Sequence, residues 1–456
     1  MNRTVPILII VLSAMLFFMA LAQENPAEKT VDGKELYSSS PEQIHLSWSE
    51  NPQSTITIMW HTDSNSNPNI AQVGLTTNYE LGNFSGYSYQ SPFSGYWHVV
   101  TVRNLTPDTL YHYRVSGDSG GWSQDFTFRT APSSPKNFTF VVCGDSRQAL
   151  PYPFGNLDGW REVVSAIAND SDISFLLFTG DMCYDGTTEP YWNDWFSITQ
   201  QIGAYMPIMP AIGNHETSDD EDAVHYLGSF TLPNNELWYS FNYSTAHFVV
   251  LSTEHTTNQS QLQWLEKDLS YASNDTSHPW IIVVFHKPPY TSCSEGHGPD
   301  GNAQQYFVPL FDKYHVDLVF NGHNHFYQRT YPLVGGSDPS NPTVTTWEKR
   351  RYVDPQGTIY VVTGAAGAPM IGYIPDNSSG YIAEYKGNTL HYTRITIYTN
   401  NSLHLEAVDT SGNVFDGFWI IKSPPVLEIK SSGAVIFYIL LAIIISVMIG
   451  KSSTKI

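Results

Sequence analysis

Five times along this chain a short segment ends in residues of the kind that bind metal ions, and four of those segments follow an apolar run. FTFVVC (138–143) leads into Gly144-Asp145-Ser146, and ISFLLF (173–178) precedes Gly180-Asp181-Met182-Cys183-Tyr184. WIIVVF (280–285) stops at His286, and Val316 to Phe320 opens onto Asn321-Gly322-His323-Asn324-His325. Gly213-Asn214-His215-Glu216 is the fifth. Short apolar runs bounded by turn residues read as buried strands, and a glycine at the end lets the backbone turn sharply. Open α/β sheets build their sites beyond the carboxyl ends of strands. The series therefore predicts one crevice onto which all five ends converge. Singly, each segment has a plain reading: an aspartate after glycine can cap a helix, and a strand-end histidine can bond to backbone. Together and in order, they do not.

The rest of the pattern fits such a sheet. Helical spacing of Trp160, Val163, Val164 and Ile167 predicts a helix over Leu157 to Ala168, and Pro190 to Ala204 predicts an aromatic-rich one. Ala246 to Leu251 is a strand, Leu262 to Leu269 part of a helix, and Gln304 to Tyr314 a further helix. Strands without polar alternation are buried on both faces. The later runs Thr358–Val362, Thr393–Tyr398, Leu403–Val408 and Gly417–Ile421 lack helices between them and predict a second sheet packed on the first. Upstream, Pro41 to Pro132 is all-β. Ile44-x-Leu46-x-Trp48, Ile56-x-Ile58-x-Trp60 and Tyr111-x-Tyr113-x-Val115 alternate between turn signals, as in a β-sandwich. Ala131-Pro132 to Pro135-Lys136 is the linker.

Composition narrows the partners. The 456 residues exceed one ordinary domain, and a formal net charge of −21 excludes a nucleic-acid partner, which needs a basic face. An anionic substrate needs local cations to reverse that field. Three cysteines, Cys143, Cys183 and Cys293, are no disulfide scaffold, and their odd number leaves one thiol free or paired between chains.

The two ends place the chain in the secretory pathway. Arg3, the apolar run Val5 to Leu21 and small residues around Ala22 form a signal peptide over 1–22 rather than a first membrane span. Residues 434–450 are almost wholly apolar, at the short end of the roughly 17–25 residues that cross a bilayer. Lys451 and Lys455 follow on the side where cytoplasmic charges belong. A polar spacer, which a lipid-anchor signal needs, is missing between Ser431-Ser432-Gly433 and the apolar run. A single-pass type I protein with an extracellular or lumenal body is the expectation. Sequons at Asn83, Asn104, Asn137, Asn169, Asn242, Asn258, Asn274, Asn377 and Asn400 agree with it.

Carboxylate, amide and imidazole together suit first-row metals of intermediate hardness. The ligands outnumber what one ion with an open position uses, so two ions sharing a carboxylate is the economical reading. Two ions about 3.5–4 Å apart clamp the attacking and leaving oxygens of a phosphoryl group.

The series GDS, GDMCY, GNHE, VVFH, GHNH resembles the calcineurin-like metallophosphoesterases, and within them the purple acid phosphatases. Tyr184, three residues after Asp181, carries the narrower resemblance. So do the preceding segment LTPDTLYHYRV, similar to fibronectin type III modules, and the closing runs GTIYVVTGAAG and FDGFWIIK. The resemblance implies a fibronectin-like sandwich over 41–132 and an α/β metallophosphoesterase domain of two packed mixed sheets over 137–424, ahead of the transmembrane helix 434–450. It implies that Asp145, Tyr184 and His325 hold a ferric ion. Asn214, His286 and His323 would hold a divalent zinc, iron or manganese, with Asp181 bridging. His215 would contact the phosphate, and His297, in the loop Ser294-Glu295-Gly296-His297-Gly298, would bind substrate or serve as general acid. The implied reaction is phosphomonoester hydrolysis by a metal-bound hydroxide.

Two departures stand out. Position 147 is Arg where plant and mammalian members have Gly, so Arg147 is a substrate-binding candidate alongside Asn214 and His215. Residue 328 is Gln where many members have Glu. Two other activities remain open at this point. One is a phosphodiesterase or nucleotide pyrophosphatase on the same metals. The other is a non-catalytic surface receptor that uses the fibronectin-like module.

Overall fold

The alternating pattern upstream folds into two four-stranded antiparallel sheets. One is built from Glu42–Ser47, Ile56–Thr62, Tyr96–Val102 and Tyr87–Gln90, the other from Gly82–Ser85, Ile70–Gly74, Leu110–Val115 and Phe126–Arg129. The computed structural model describes residues 41–423, except 66–67, 118–120, 149–156, 219, 221, 294–296 and 370–378. The signal peptide, the apolar run 434–450 and the Asn377 sequon lie outside the described residues. Among the described residues no helix is long and apolar enough to cross a membrane.

Leu110–Val115 keeps a two-residue period, with Tyr111, Tyr113 and Val115 inward. Ile56–Thr62 is buried along its whole length. The outer face of that first sheet is not solvated, because the helix Glu189–Gly203 lies on it. His45 of that sheet stacks on Phe196 with ring centroids 4.8 Å apart, and from the other sheet the Tyr113 hydroxyl donates to the Ala204 carbonyl just after the helix at 2.7 Å. Trp48 packs among Phe175, Phe241 and Tyr243. The sandwich and the downstream sheets thus share one apolar core.

Downstream, two seven-stranded mixed sheets face each other. The first runs Ile208–Pro210, Ile173–Phe178, Phe138–Cys143, His391–Tyr398, Ser402–Asp409, Val414–Ile421, Arg351–Val353. The second runs Tyr239–Tyr243, Ala246–Val250, Trp280–Val284, Leu318–Asn321, Ile359–Thr363, Tyr327–Thr330, Ile382–Lys386. Alternate side chains of the second sheet serve different cores. Phe248, Val250, Ile282, Val284, Leu318 and Phe320 face the first sheet, while Val249, Val283, Phe285 and Val319 meet the helices Gln259–Ala272 and Val308–Tyr314. Both faces being covered, the period-2 signal vanishes from the sequence.

Two expectations need correction. The closing strands do not form a sheet of their own: His391–Tyr398 pairs antiparallel with Phe138–Cys143 and completes the first sheet. The second sheet is instead built on the central parallel strands. The helix expected over 304–314 is two helices, Gly301–Tyr306 and Val308–Tyr314, parted at Phe307. Pro309 has no N–H for a continuous ladder and fits only the first turn of a new helix.

Candidate metal centre

The parallel strands Phe138–Cys143, Ile173–Phe178, Trp280–Val284 and Leu318–Asn321 all end at one edge, and the chain turns there at once. Asp145, Asp181 and His323 sit in the left-handed region, at φ 57°, 57° and 67°. Such values are uncommon for residues with a Cβ and cost on the order of 1–3 kcal/mol each. Hydrogen bonds hold the turns. The His323 amide donates to both oxygens of Asp145 at 2.9 Å, and the His215 amide donates to Asp181 Oδ1 at 3.1 Å. Gly322 is required by packing rather than by torsion: a Cβ there would lie 2.3 Å from Asp145 Oδ2.

The imidazoles follow a common design. His286, His325 and His215 each pin Nδ1–H on a backbone carbonyl: Thr179 at 2.8 Å, Pro369 at 2.8 Å and Tyr184 at 2.5 Å respectively. Their Nε2 atoms thereby face the aspartates. His286 Nε2 is 3.2 Å from Asp181 Oδ1, His325 Nε2 is 3.6 Å from Asp145 Oδ1, and His215 Nε2 is 3.8 Å from Asp181 Oδ2. A carbonyl on one ring nitrogen fixes the tautomer and leaves the other nitrogen's lone pair for a cation. His323 is turned the other way, with a buried Nδ1 that has no hydrogen-bond partner.

These atoms fit cations. Asp181, His286 and His323 offer ligand atoms all within 4.8 Å of one another. His286 Nε2 also stands 3.1 Å from Asn214 Oδ1, so a neutral ring would set its lone pair against two oxygens. Burial works against a proton on His286, yet Asp181 overrides it and pushes the ring up to about 10. Burial holds His323 down to about 2 and His325 to about 3, leaving both as neutral donors. Burial pushes the Asp145 carboxyl well up. It acts the same way on Asp181, but there His286, with His215 and Arg147, outweighs it and holds the carboxyl well down. Two fully buried carboxylates so close demand compensating positive charge.

The remaining expected residues border this cluster. The His297 ring lies 4.5 Å from His323 and 6.2 Å from His325, with its Nδ1 buried and unpaired. Arg147 Nε is 3.8 Å from Asp181 Oδ2, and its guanidinium lies 5.8 Å over the Tyr184 ring. Tyr184 also stands 5.8 Å from His215, ring to ring. All ten residues singled out in the sequence come to this one edge.

Two parts of the site went unassigned in the sequence. Glu216 is buried, and its carboxylate accepts the amides of Asp181 (2.9 Å), Met182 (2.7 Å), Cys183 (3.3 Å) and Gly213 (2.8 Å). Glu three residues after a helix-capping Gly is half of a capping box, and that signal was there to be read. Thr179 and Pro369 act through carbonyls and have no sequence signal. The three cysteines are free and buried, and burial pushes the Cys143 and Cys183 thiols up, so neither is a thiolate ligand.

Comparison with known proteins identifies the family. Residues 41–130 match the purple acid phosphatase N-terminal domain, and residues 138–327 match the calcineurin-like phosphoesterases. An uncharacterized protein of Mycobacterium tuberculosis is 30% identical over 376 residues, covering 71% of this chain and 69% of the relative. The chain belongs to the purple acid phosphatase family. Acid phosphatase type 7 of Mus musculus is 29% identical over 459 residues, covering 90% of this chain and 97% of the relative. The purple acid phosphatase PPD1 from yellow lupin seeds shares the fold, with TM-score 0.75 at 23% identity over 87% of this chain and 79% of that one. Membership makes the chain a metal-dependent phosphatase, and a dinuclear metal centre comes with the family.

Proposed function

We propose that this purple acid phosphatase hydrolyses phosphomonoesters at a dinuclear centre, ferric iron beside divalent zinc, iron or manganese. The buried pair Asp145 and Asp181, ringed by imidazoles whose free nitrogens face them, carries the reading. Asp145, Tyr184 and His325 are assigned to the ferric ion, and Asn214, His286 and His323 to the divalent one, with Asp181 shared. Such a pair supplies Lewis acidity to the phosphoryl oxygens and an acidified water.

The chain's own residues do the rest. His215, with Nδ1–H fixed on the Tyr184 carbonyl, presents Nε2 toward the crevice, and in its protonated form donates from Nε2 to a phosphate oxygen and orients the phosphate. Arg147 and the Asn214 amide bind its oxygens. His297 gives a ring proton to the departing alkoxide as the phosphorus–oxygen bond breaks, and recovers one from water. Burial lowers His297 despite a backbone contact with His323 that raises it, so the protonated acid belongs to mildly acidic conditions.

The domain limits 41–132 and 137–424, the fibronectin-like character of the sandwich and the type I topology complete the proposal. The sequons Asn83, Asn104, Asn137, Asn169, Asn258, Asn274 and Asn400 are exposed and Asn242 half-buried, which suits a glycosylated extracellular or lumenal body. The test is Asn214→Ala and His323→Ala. Both should lose one equivalent of divalent metal and at least about a hundredfold in kcat, with unchanged circular dichroism. A metal-loaded wild type that cleaves phosphodiesters but no monoester would overturn the substrate class. One that cleaves neither would return the receptor reading.

A further inference from the structure

The loop that carries His297 is fastened to the strand segment that carries His323 and His325, by two side chains of that segment. Asn324 Nδ2 donates to the His297 carbonyl at 2.9 Å. Four residues on, Gln328 Oε1 accepts the Ser292 amide at 2.9 Å, and Gln328 Nε2 donates to Ser292 Oγ. Asn324 and Gln328 are each 1% exposed and Ser292 is 5% exposed, so water does not compete for these bonds. The base of the loop is closed as well. The Tyr381 hydroxyl donates to the Thr291 carbonyl at 3.2 Å, and the Asp300 amide donates to the Pro288 carbonyl at 2.8 Å.

We infer that Gln328 is a positioning residue that holds the His297 imidazole at the substrate crevice by gripping Ser292, with Asn324 as the second grip. Strand geometry explains the division of labour. Tyr327–Thr330 is buried between Ile359–Thr363 and Ile382–Lys386, so its backbone is fixed by pairing on both sides. A side chain rooted there is a rigid post. Gln328 is also chemically suited to Ser292, because one carboxamide both accepts the N–H and donates to the hydroxyl. A Glu at this position keeps both contacts by accepting from N–H and O–H alike. An apolar isostere keeps neither of these two contacts.

This inference rests on the reading of His297 as the acid, and the experiment separates the two. Gln328→Leu is compared with Gln328→Glu, with Ser292→Ala as a milder cut made from the loop side. The readouts are amide hydrogen exchange at Ser292, metal content, and kcat and KM on an alkyl and an activated aryl phosphate. In Gln328→Leu the Ser292 amide should exchange at least about tenfold faster. The alkyl-to-aryl ratio of kcat should fall about tenfold, with metal content and KM within about twofold, because a displaced acid hurts only the poor leaving group. Gln328→Glu should restore both, and Ser292→Ala should fall between. Unchanged exchange in both Gln328→Leu and Ser292→Ala overturns the grip. Faster exchange with an unchanged substrate ratio overturns the positioning role, provided His297→Ala itself shifts that ratio. A silent His297→Ala defeats the acid reading, and with it the positioning role. The exchange result then reports on the grip by itself.

Discussion

Glu216 Oε2 accepts the Asp181 amide at 2.9 Å and the Gly213 amide at 2.8 Å, so one oxygen ties the aspartate turn to the Asn214 turn. The other oxygen takes Met182 and Cys183. Burial, with Asp181 second, raises the Glu216 carboxyl to about 7, although the Gly213 amide works against it. Glu216→Gln turns one acceptor into a donor that faces two amides. Leaving a buried donor unsatisfied costs about 1–3 kcal/mol. Expected are a loss of about 2–4 kcal/mol in chemical denaturation of the metal-free protein and weaker retention of the divalent ion against a chelator. Wild-type values on both measurements would make Glu216 a bystander.

The proposed ferric site is tested at Tyr184. A phenolate on ferric iron absorbs in the visible by charge transfer, so the purified, oxidised protein should be violet and Tyr184→Phe colourless. Iron content should be retained at least in part, since Asp145 and His325 remain. A wild type that is colourless, fully active and loaded with two divalent ions would remove Tyr184 from the ligand set.

Two buried histidines outside the metal cluster also contribute to stability at acid pH. His45 and His391 are completely buried, and burial lowers each from 6.5 to about 4, with backbone acceptors pulling the other way. Between pH 6.5 and 4 the unfolded chain binds a proton at each ring that the folded chain refuses. This contribution is complete above pH 6.5 and is lost as pH falls through that window, by up to about 3 kcal/mol per histidine. Glu236, which burial raises to about 7, opposes them, because its contribution is lost as pH rises. His45 lies among Phe196, Trp97 and Phe230, so Phe fits the site chemically. His45→Phe should flatten the acid limb of the stability–pH curve by about one proton's slope. An unchanged slope would mean that His45 is not neutral in the folded protein.

The metal centre was legible because its chemistry sits in short contiguous segments, each placed by one strand end. Asp145, Asp181, His286 and His323 needed only that rule to be brought together. Sheet membership was not legible. Ile395 and Leu405 read as strand whether their partner is a new sheet or Phe138–Cys143, and only the pairing decides. Glu216 and Asn324 were quoted inside motifs and Gln328 as a departure; the capping-box signal at Glu216 reaches Gly213, but the contacts these three make 27 to 36 residues away are recorded by no local pattern. The shared core behind His45 and Trp48 was hidden for a similar reason. Alternation predicts one buried face, and the helix Glu189–Gly203 supplies a second.

Arg147 is the departure from the resembled motif that lies at the centre itself. Its side chain is 12% exposed, Nε has no hydrogen-bond partner, and Asp181 Oδ2 is 3.8 Å away. A guanidinium so placed has two outlets: it screens Asp181, or it grips a substrate oxygen once phosphate arrives. The second uses the planar fork that matches phosphate geometry. A hydrogen bond to a charged group is worth about 1.5–3 kcal/mol, or roughly tenfold to a hundredfold in binding. Arg147→Gly should therefore raise KM and the inhibition constant of inorganic phosphate by that factor, with kcat within about threefold. Arg147→Lys should recover only part, since an ammonium keeps the charge and loses the fork. If the residue only screens Asp181, the outcome reverses: phosphate affinity stays put, and the metals bind more tightly once a neighbouring cation is gone.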